Sequence, residues 1–322
     1  MKPAELRYAA KGYLRYLGTL DDRSVALFRM VCAAAVLHDI GMAWPVLEVW
    51  AGMQGFYDGL PLPHVLILGS EERTLRAIFA CFALVAVGML VGFKTRWCTL
   101  GVWIMVCGHR YAVRYTDDYH DLVLTNLLLW CQSMHLGRKW SVDALRTCGR
   151  DAAVGPVETV GRAALTINLA YIYLETALEK TGSAWWSEGT AVWLALKDFV
   201  LASDLGTWSV EHLPFPVFRV LTHLVLAVEF LGPLLLLSPW WRSGTRLAGC
   251  VLLLGFQAGL WAFMDLGSFP IVMIAAGLAL LPSSFWKRLG CTRISRLAGR
   301  FAGRLQERLP AHPGTPGRSR MA

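Results

Sequence analysis

The chain has 322 residues, 55% of them hydrophobic and only 17% charged, with a mean hydropathy of +0.45. A water-soluble domain of this length could not cover so much apolar side chain with polar surface, so composition excludes one and implies an integral membrane protein. The net charge of +8 reads as membrane topology and contact with anionic lipid, with no nucleic acid as partner.

Residues 1–21 are basic and amphipathic and are expected to rest on the inner membrane face. Their opening, MKPAELRYAAKGYLRYL, has no small-residue cleavage site after a short apolar core, so it does not read as a secretory signal. Eight apolar stretches follow, at roughly 25–44, 75–93, 97–114, 121–136, 162–179, 216–237, 246–263 and 266–283. Each can cross or nearly cross a bilayer, which needs about 20 helical residues; the fourth is short and is expected to be partly re-entrant. Their leucine-rich runs lack the every-second-residue alternation of barrel strands. The predicted architecture is therefore all-α, a polytopic integral membrane helical bundle of about eight transmembrane helices over residues 22–286. A basic amphipathic surface helix is expected at 287–309 and a disordered tail, rich in Pro, Gly and Arg, at 310–322. The connecting stretches 45–74 and 180–215 are expected to roof the external side, the second through an interfacial helix in AVWLALKDFVLA.

Charge placement orients the bundle. With the N-terminus inside, the cytoplasmic segments hold 23 of the 31 Lys and Arg residues and the external loops seven, the asymmetry of a bacterial cytoplasmic membrane protein with both termini in the cytoplasm. The remaining one, Arg29, lies near the cytoplasmic end of the first span and reads as a snorkelling side chain.

Ionisable residues near the external halves of the spans include Asp39, His120, Asp121, Glu175, Glu179, Lys180 and Glu229. Lys180 closes an apolar run and precedes the Trp-rich stretch Thr181 to Gly189. It reads either as an interfacial lysine paired with an acid or as a base shielded from water. Spacings of three, four and seven put Tyr173, Thr176 and Lys180 on one helix face, with Glu175 and Glu179 on another. His120 follows Tyr115-Thr116-Asp117-Asp118-Tyr119, where a carboxylate could fix its tautomer. Glu229 and Gln257 sit in apolar runs and serve either as structural hydrogen-bond partners or as ligand contacts. Asp39, Glu175, Glu229 and Gln257 are costly against lipid, which predicts a cavity among the first, fifth, sixth and seventh spans. Trp185, Trp186 and Trp193 read as an interface belt. The eight cysteines include no CxxC pair, so neither a redox motif nor a metal site is expected. No GxxxxGKS, HExxH or GxSxG sequence supports nucleotide hydrolysis, zinc proteolysis or serine hydrolysis.

The order of these segments resembles the HTTM family, the membrane domain shared by vitamin K-dependent gamma-carboxylase and many bacterial proteins. The resemblance covers about residues 22–286. It is carried by Phe28-Arg29 with Asp39, Tyr57-Asp58-Gly59-Leu60-Pro61, the His120 segment followed by Trp140-Ser141-Val142-Asp143-Ala144-Leu145, Tyr171 through Lys180 to Glu188-Gly189, and Glu229-Phe230-Leu231-Gly232-Pro233. It implies a lyase-type peptide modification: carboxylation, or a related oxygen-dependent reaction, using reduced vitamin K or another quinol, with oxygen and carbon dioxide as co-substrates. The resemblance puts Lys180 in the place of the catalytic base and His120 in that of a residue stabilising the developing anion. It makes Tyr173, Thr176, Glu229 and Gln257 the expected cofactor contacts, Gln257 standing where the family has a further histidine. After residue 286 no counterpart of the carboxylase luminal domain is expected, so a secreted peptide would be recognised differently or through a substrate-presenting partner. The alternative implied by the same resemblance is a non-carboxylating membrane protein for maturation or export of a secreted peptide.

Overall fold

The computed structural model describes residues 3–52, 72–112, 119–147 and 155–290. The segments Tyr57 to Pro61 and Tyr115 to Asp118, most of the 287–309 segment and the 310–322 tail lie outside the described residues. One compact unit runs to Pro282, and a second begins at Ser283 with a short helix, Ser283–Arg288.

Within the first unit the regular elements among the described residues are helices, with one isolated β-bridge between Ala202 and Met264. The helices are α1 (Pro3–Leu17), α2 (Asp22–Ala43), α3 (Leu47–Gly52), α4 (Glu72–Val91), α5 (Thr95–Ala112), α6 (Tyr119–Cys131) and α7 (Val142–Arg146). They continue as α8 (Pro156–Glu179), α9 (Ser183–Trp186), α10 (Ala191–Lys197), α11 (Asp204–His212), α12 (Phe215–Leu237), α13 (Arg242–Phe263) and α14 (Phe269–Ala279). Local sequence sets many of their starts. The Asp21 side chain accepts from Arg23 N, Ser141 from Ala144 N and Ser203 from Gly206 N, while prolines open α8, α12 and α14, where no N–H is missed.

Among the described residues each of the eight apolar stretches falls mainly on a helix, but they are not equivalent. Among the described residues, four are long and apolar enough to cross a membrane: Asp22–Val49, Glu72–Val91, Phe215–Leu237 and Ser243–Phe263. Helices α6 and α14 have only 13 and 11 residues, too few to cross about 30 Å of hydrocarbon alone. Helix α14 is instead a core element, packed against α2, α6 and α13 with Val272, Met273, Ala275, Ala276 and Ala279 buried. Its small residues admit close helix approach. Helix α8 packs against α12, α6 and α1, and α2 packs against α4.

Buried cations tie one end of the bundle together. Arg29 is completely buried: Nη1 donates to Met89 O at 2.9 Å and Nη2 to Trp140 O at 2.6 Å. It therefore does not snorkel, because its partners are chain carbonyls inside the fold, one in the last turn of α4 and one in the turn before α7. Arg246 donates to Thr19 O and Tyr16 O in the same way, closing the end of α1 onto α13. Arg162 bonds Leu20 O, Glu158 and Asp22, and Arg138 bonds Glu158. The Asp143 carboxylate caps α5, accepting from Lys94 N at 2.9 Å, Thr95 N at 2.7 Å and Thr95 Oγ1 at 2.7 Å.

Two predictions follow from this basic end. Gly92 has a φ of +71°, and a Cβ there would overlap Arg29 Nη1 and Ser141 Cβ. Gly92→Ala is expected to lower stability by more than ~1 kcal/mol from the left-handed backbone alone, with overlap adding to it. Gly255, where a Cβ meets nothing within 4 Å, is the control, and thermal unfolding in detergent makes the comparison.

The second concerns acid. Burial raises the pKa of Asp143 and Glu158, but bonds from Thr95 and Lys94 to the first, and from Arg138 and Arg162 to the second, outweigh it and hold both below the usual carboxylate values. A carboxyl depressed in the folded state binds fewer protons there than in the unfolded chain. Its stabilisation is full above the unfolded pKa and disappears as pH falls through the folded one. Unfolding temperature should thus drop from about pH 5 downward, and an Asp143→Asn/Glu158→Gln variant should show a flatter acid limb. An unchanged limb would deny these groups that role.

Candidate functional site

Lys180 is the residue just past the end of α8, where the backbone leaves the helix (φ −76°, ψ 72°). Its Nζ donates to Glu229 Oε1 at 2.9 Å, lies 2.8 Å from Glu229 Oε2 and donates to Thr176 O at 3.1 Å. The ammonium also lies 5.1 Å from the centre of the Trp185 ring, a cation–π distance. Trp186 Nε1 donates to the Lys180 carbonyl at 2.6 Å. These two tryptophans, read from sequence as an interface belt, fix the lysine's head and backbone. The spacing Lys180 to Trp185 and Trp186 is the sequence signal that could have pointed to this.

Two turns back on the same face, Tyr173 is buried and its hydroxyl accepts from Gln257 Nε2 at 2.9 Å. Thr176 Oγ1 bonds Tyr173 O. The structure thus gathers five of the six expected residues, Tyr173, Thr176, Lys180, Glu229 and Gln257, where α8 meets α12 and α13. Two acceptor oxygens in this group are buried without a hydrogen bond: Gln257 Oε1, and Glu229 Oε2, which has the charge contact with Nζ but no well-directed donor.

His120 belongs to a different group. Its Nε2 is 3.3 Å from Asp121 Oδ1 and 3.5 Å from Asp39 Oδ2. Ser268, at the start of α14, donates to Asp39 Oδ1, and His38 Nδ1 lies 3.1 Å from Ser268 Oγ. His109 on α5 approaches Asp121 Oδ2 at 3.3 Å. The result is a chain of imidazoles and carboxylates across α2, α5, α6 and the head of α14, in which Asp121 is the neighbouring carboxylate expected beside His120 and Asp39 is added by the fold. Lys180's own hydrogen bonds, ion pair and ring contact all go to Thr176, Glu229 and Trp185 and do not reach it. His38, His109 and Ser268 were not legible as members, because they come from elements adjacent only in the fold.

Glu175 does not join either group. It is exposed and accepts from the Tyr171 hydroxyl at 2.9 Å on the outer side of α8, so the expectation that it faces an interior with Glu229 and Gln257 is corrected. A tyrosine one turn away satisfies the acid without a cavity. Among the described residues, no group of three or more His, Cys, Asp or Glu is arranged to hold a metal ion. Two described cavities, of about 240 and 370 Å³, lie at the basic end around Arg96 and Gln132 rather than beside Lys180. The chain matches no protein-family model, no curated protein and no solved structure.

Proposed function

We propose that this chain is a membrane enzyme of the vitamin K-dependent gamma-carboxylase-like kind, using a reduced quinone for carboxylation or a related oxygen-dependent modification of a peptide. The supporting observation is the Lys180–Glu229 pair, set among apolar helices in one group with Gln257 Oε1, a buried acceptor without a hydrogen bond. A quinol carries hydroxyl donors and no charge, and the group offers it Gln257 Oε1 and Glu229 Oε2 as buried acceptors, with Tyr173 and Thr176 on the same face. When bound, reduced vitamin K or another quinol supplies the reducing power and the strong base that carboxylation with oxygen and carbon dioxide needs. The chain's part is proton handling: passing a proton from Lys180 Nζ to Glu229 turns two ions into a neutral amine and a neutral acid. That exchange removes charge from an apolar site and leaves Nζ able to accept a proton. His120, held by Asp39 and Asp121, is the donor proposed to stabilise developing negative charge.

A second reading has an observation of its own. Glu229, Thr176 O and the Trp185 face together engage the Lys180 ammonium, as suits a fixed cation in a non-carboxylating protein that matures or exports a secreted peptide. Oxygen-dependent oxidation of reduced vitamin K by the purified protein in nanodiscs, with labelled carbon dioxide and a candidate peptide in parallel, separates the two. No oxidation favours the second reading.

In the bilayer we propose the eight-segment arrangement, in a bacterial cytoplasmic membrane with both termini inside; α6 and α14 then reach the surfaces through their flanking turns. Single cysteines placed at positions 58 and 205 should label from outside and one at 146 from inside. The reverse pattern rejects this topology.

A further inference from the structure

The two cavities at the basic end share Arg96 and Gln132. The first, about 240 Å³, passes from Thr95 and Arg96 by His135 to Asp143 and Thr147. The second, about 370 Å³, is bounded by Arg96, Trp97, Leu100 and Gln132. The first has a mixed wall, in which Arg96, Gln132 and His135 stand beside apolar residues such as Met134 and Leu136, and the second leads onto an apolar strip. Trp97 is 70% exposed and Ile104 56%, and positions 97, 100 and 104 follow one face of α5.

The charges in this region are mostly spent. Arg138 bonds Glu158, Arg146 stacks over the Phe93 ring at 4.8 Å, and the Asp143 oxygens accept from Lys94 and Thr95. Arg96 is exposed and has no hydrogen bond or ion pair among the described residues. A guanidinium without an acid, exposed in the wall that both cavities share and next to an outward apolar strip, suits a ligand with an anion at one end and hydrocarbon at the other. Arginine is the side chain best matched to a phosphate, and basic pockets between membrane helices recognise lipid headgroups.

We propose that these cavities form a site for an anionic phospholipid, its headgroup phosphate held by Arg96 and an acyl chain lying along Trp97, Leu100 and Ile104. The site requires the chain to lie in a bilayer but none of the quinol chemistry, so failure of the quinol assay leaves it standing. The free phosphate ion offers the same anion without the tail, and the strip at Trp97 is what favours the lipid.

Native mass spectrometry of the full chain in mild detergent, with phosphatidylglycerol or phosphatidylcholine added, is the test. Wild type should retain phosphatidylglycerol in preference. Arg96→Gln should lower that retention about fivefold, the value of one arginine at an anionic lipid surface. Arg96→Lys should keep most of it, and Arg146→Gln, outside both cavities, should leave it within about twofold. Arg96 is a surface residue, and unfolding temperature confirms that its variants remain folded. Equal retention of the two lipids, undiminished retention in Arg96→Gln, or displacement of the lipid by inorganic phosphate alone would overturn the proposal.

Discussion

Replacing Lys180 with Met is expected to remove essentially all quinol-dependent turnover, because Met keeps the length and apolar bulk of the side chain but cannot accept a proton. His120→Ala should lose about 10²-fold to 10³-fold, the usual effect of deleting one stabilising donor, and retain measurable activity. The contrast distinguishes a base from a stabiliser. The geometry adds a control: Lys180→Met alone strips Glu229 of its ion-pair partner, so lost activity could reflect a disturbed fold. Lys180→Met/Glu229→Gln removes both charges together and should be equally inactive while folding like wild type. Oxidation of reduced vitamin K at the wild-type rate in either Lys180 variant would end the base assignment. Oxidation with no labelled carbon dioxide incorporated would keep the proton chemistry and reject carboxylation.

The second large effect is on stability. The Glu229 side chain is 6% exposed and that of Lys180 18%, so breaking the pair strands a charge in a dry place. Lys180→Met should cost about 3 kcal/mol, the lower part of the range for a broken buried pair, since the lysine end of this one is partly hydrated. Glu229→Gln should cost less, because Lys180 sits at a helix end and can turn its ammonium towards water. The double variant should recover much of the loss, giving a favourable coupling of more than about 1 kcal/mol in a double-mutant cycle of detergent unfolding. Additive effects of the two single changes would show that the ions do not act as a unit.

Composition and apolar runs were enough to indicate a helical chain with spans suited to a bilayer, because backbone in an apolar medium must form helices or a closed barrel, and long leucine-rich runs without alternation leave helices. The shared face of Tyr173, Thr176 and Lys180 was equally legible, since a spacing of three or four residues fixes it within one helix. What spacing could not say is which face meets another element. Glu175 lies two residues from Tyr173, yet one accepts a hydrogen bond from Tyr171 on the outside while the other is buried against Gln257. Arg29 looked like a snorkelling residue because the carbonyls that hold it belong to Met89 and Trp140, 60 and 111 residues away. The tertiary structure also decided that α14 is a short core helix, that Glu229 is the acid paired with Lys180, and that His120 answers to Asp39 and Asp121. Each of these depends on the packing of helices distant in sequence, and a periodic pattern records only that a face is apolar, not which partner covers it.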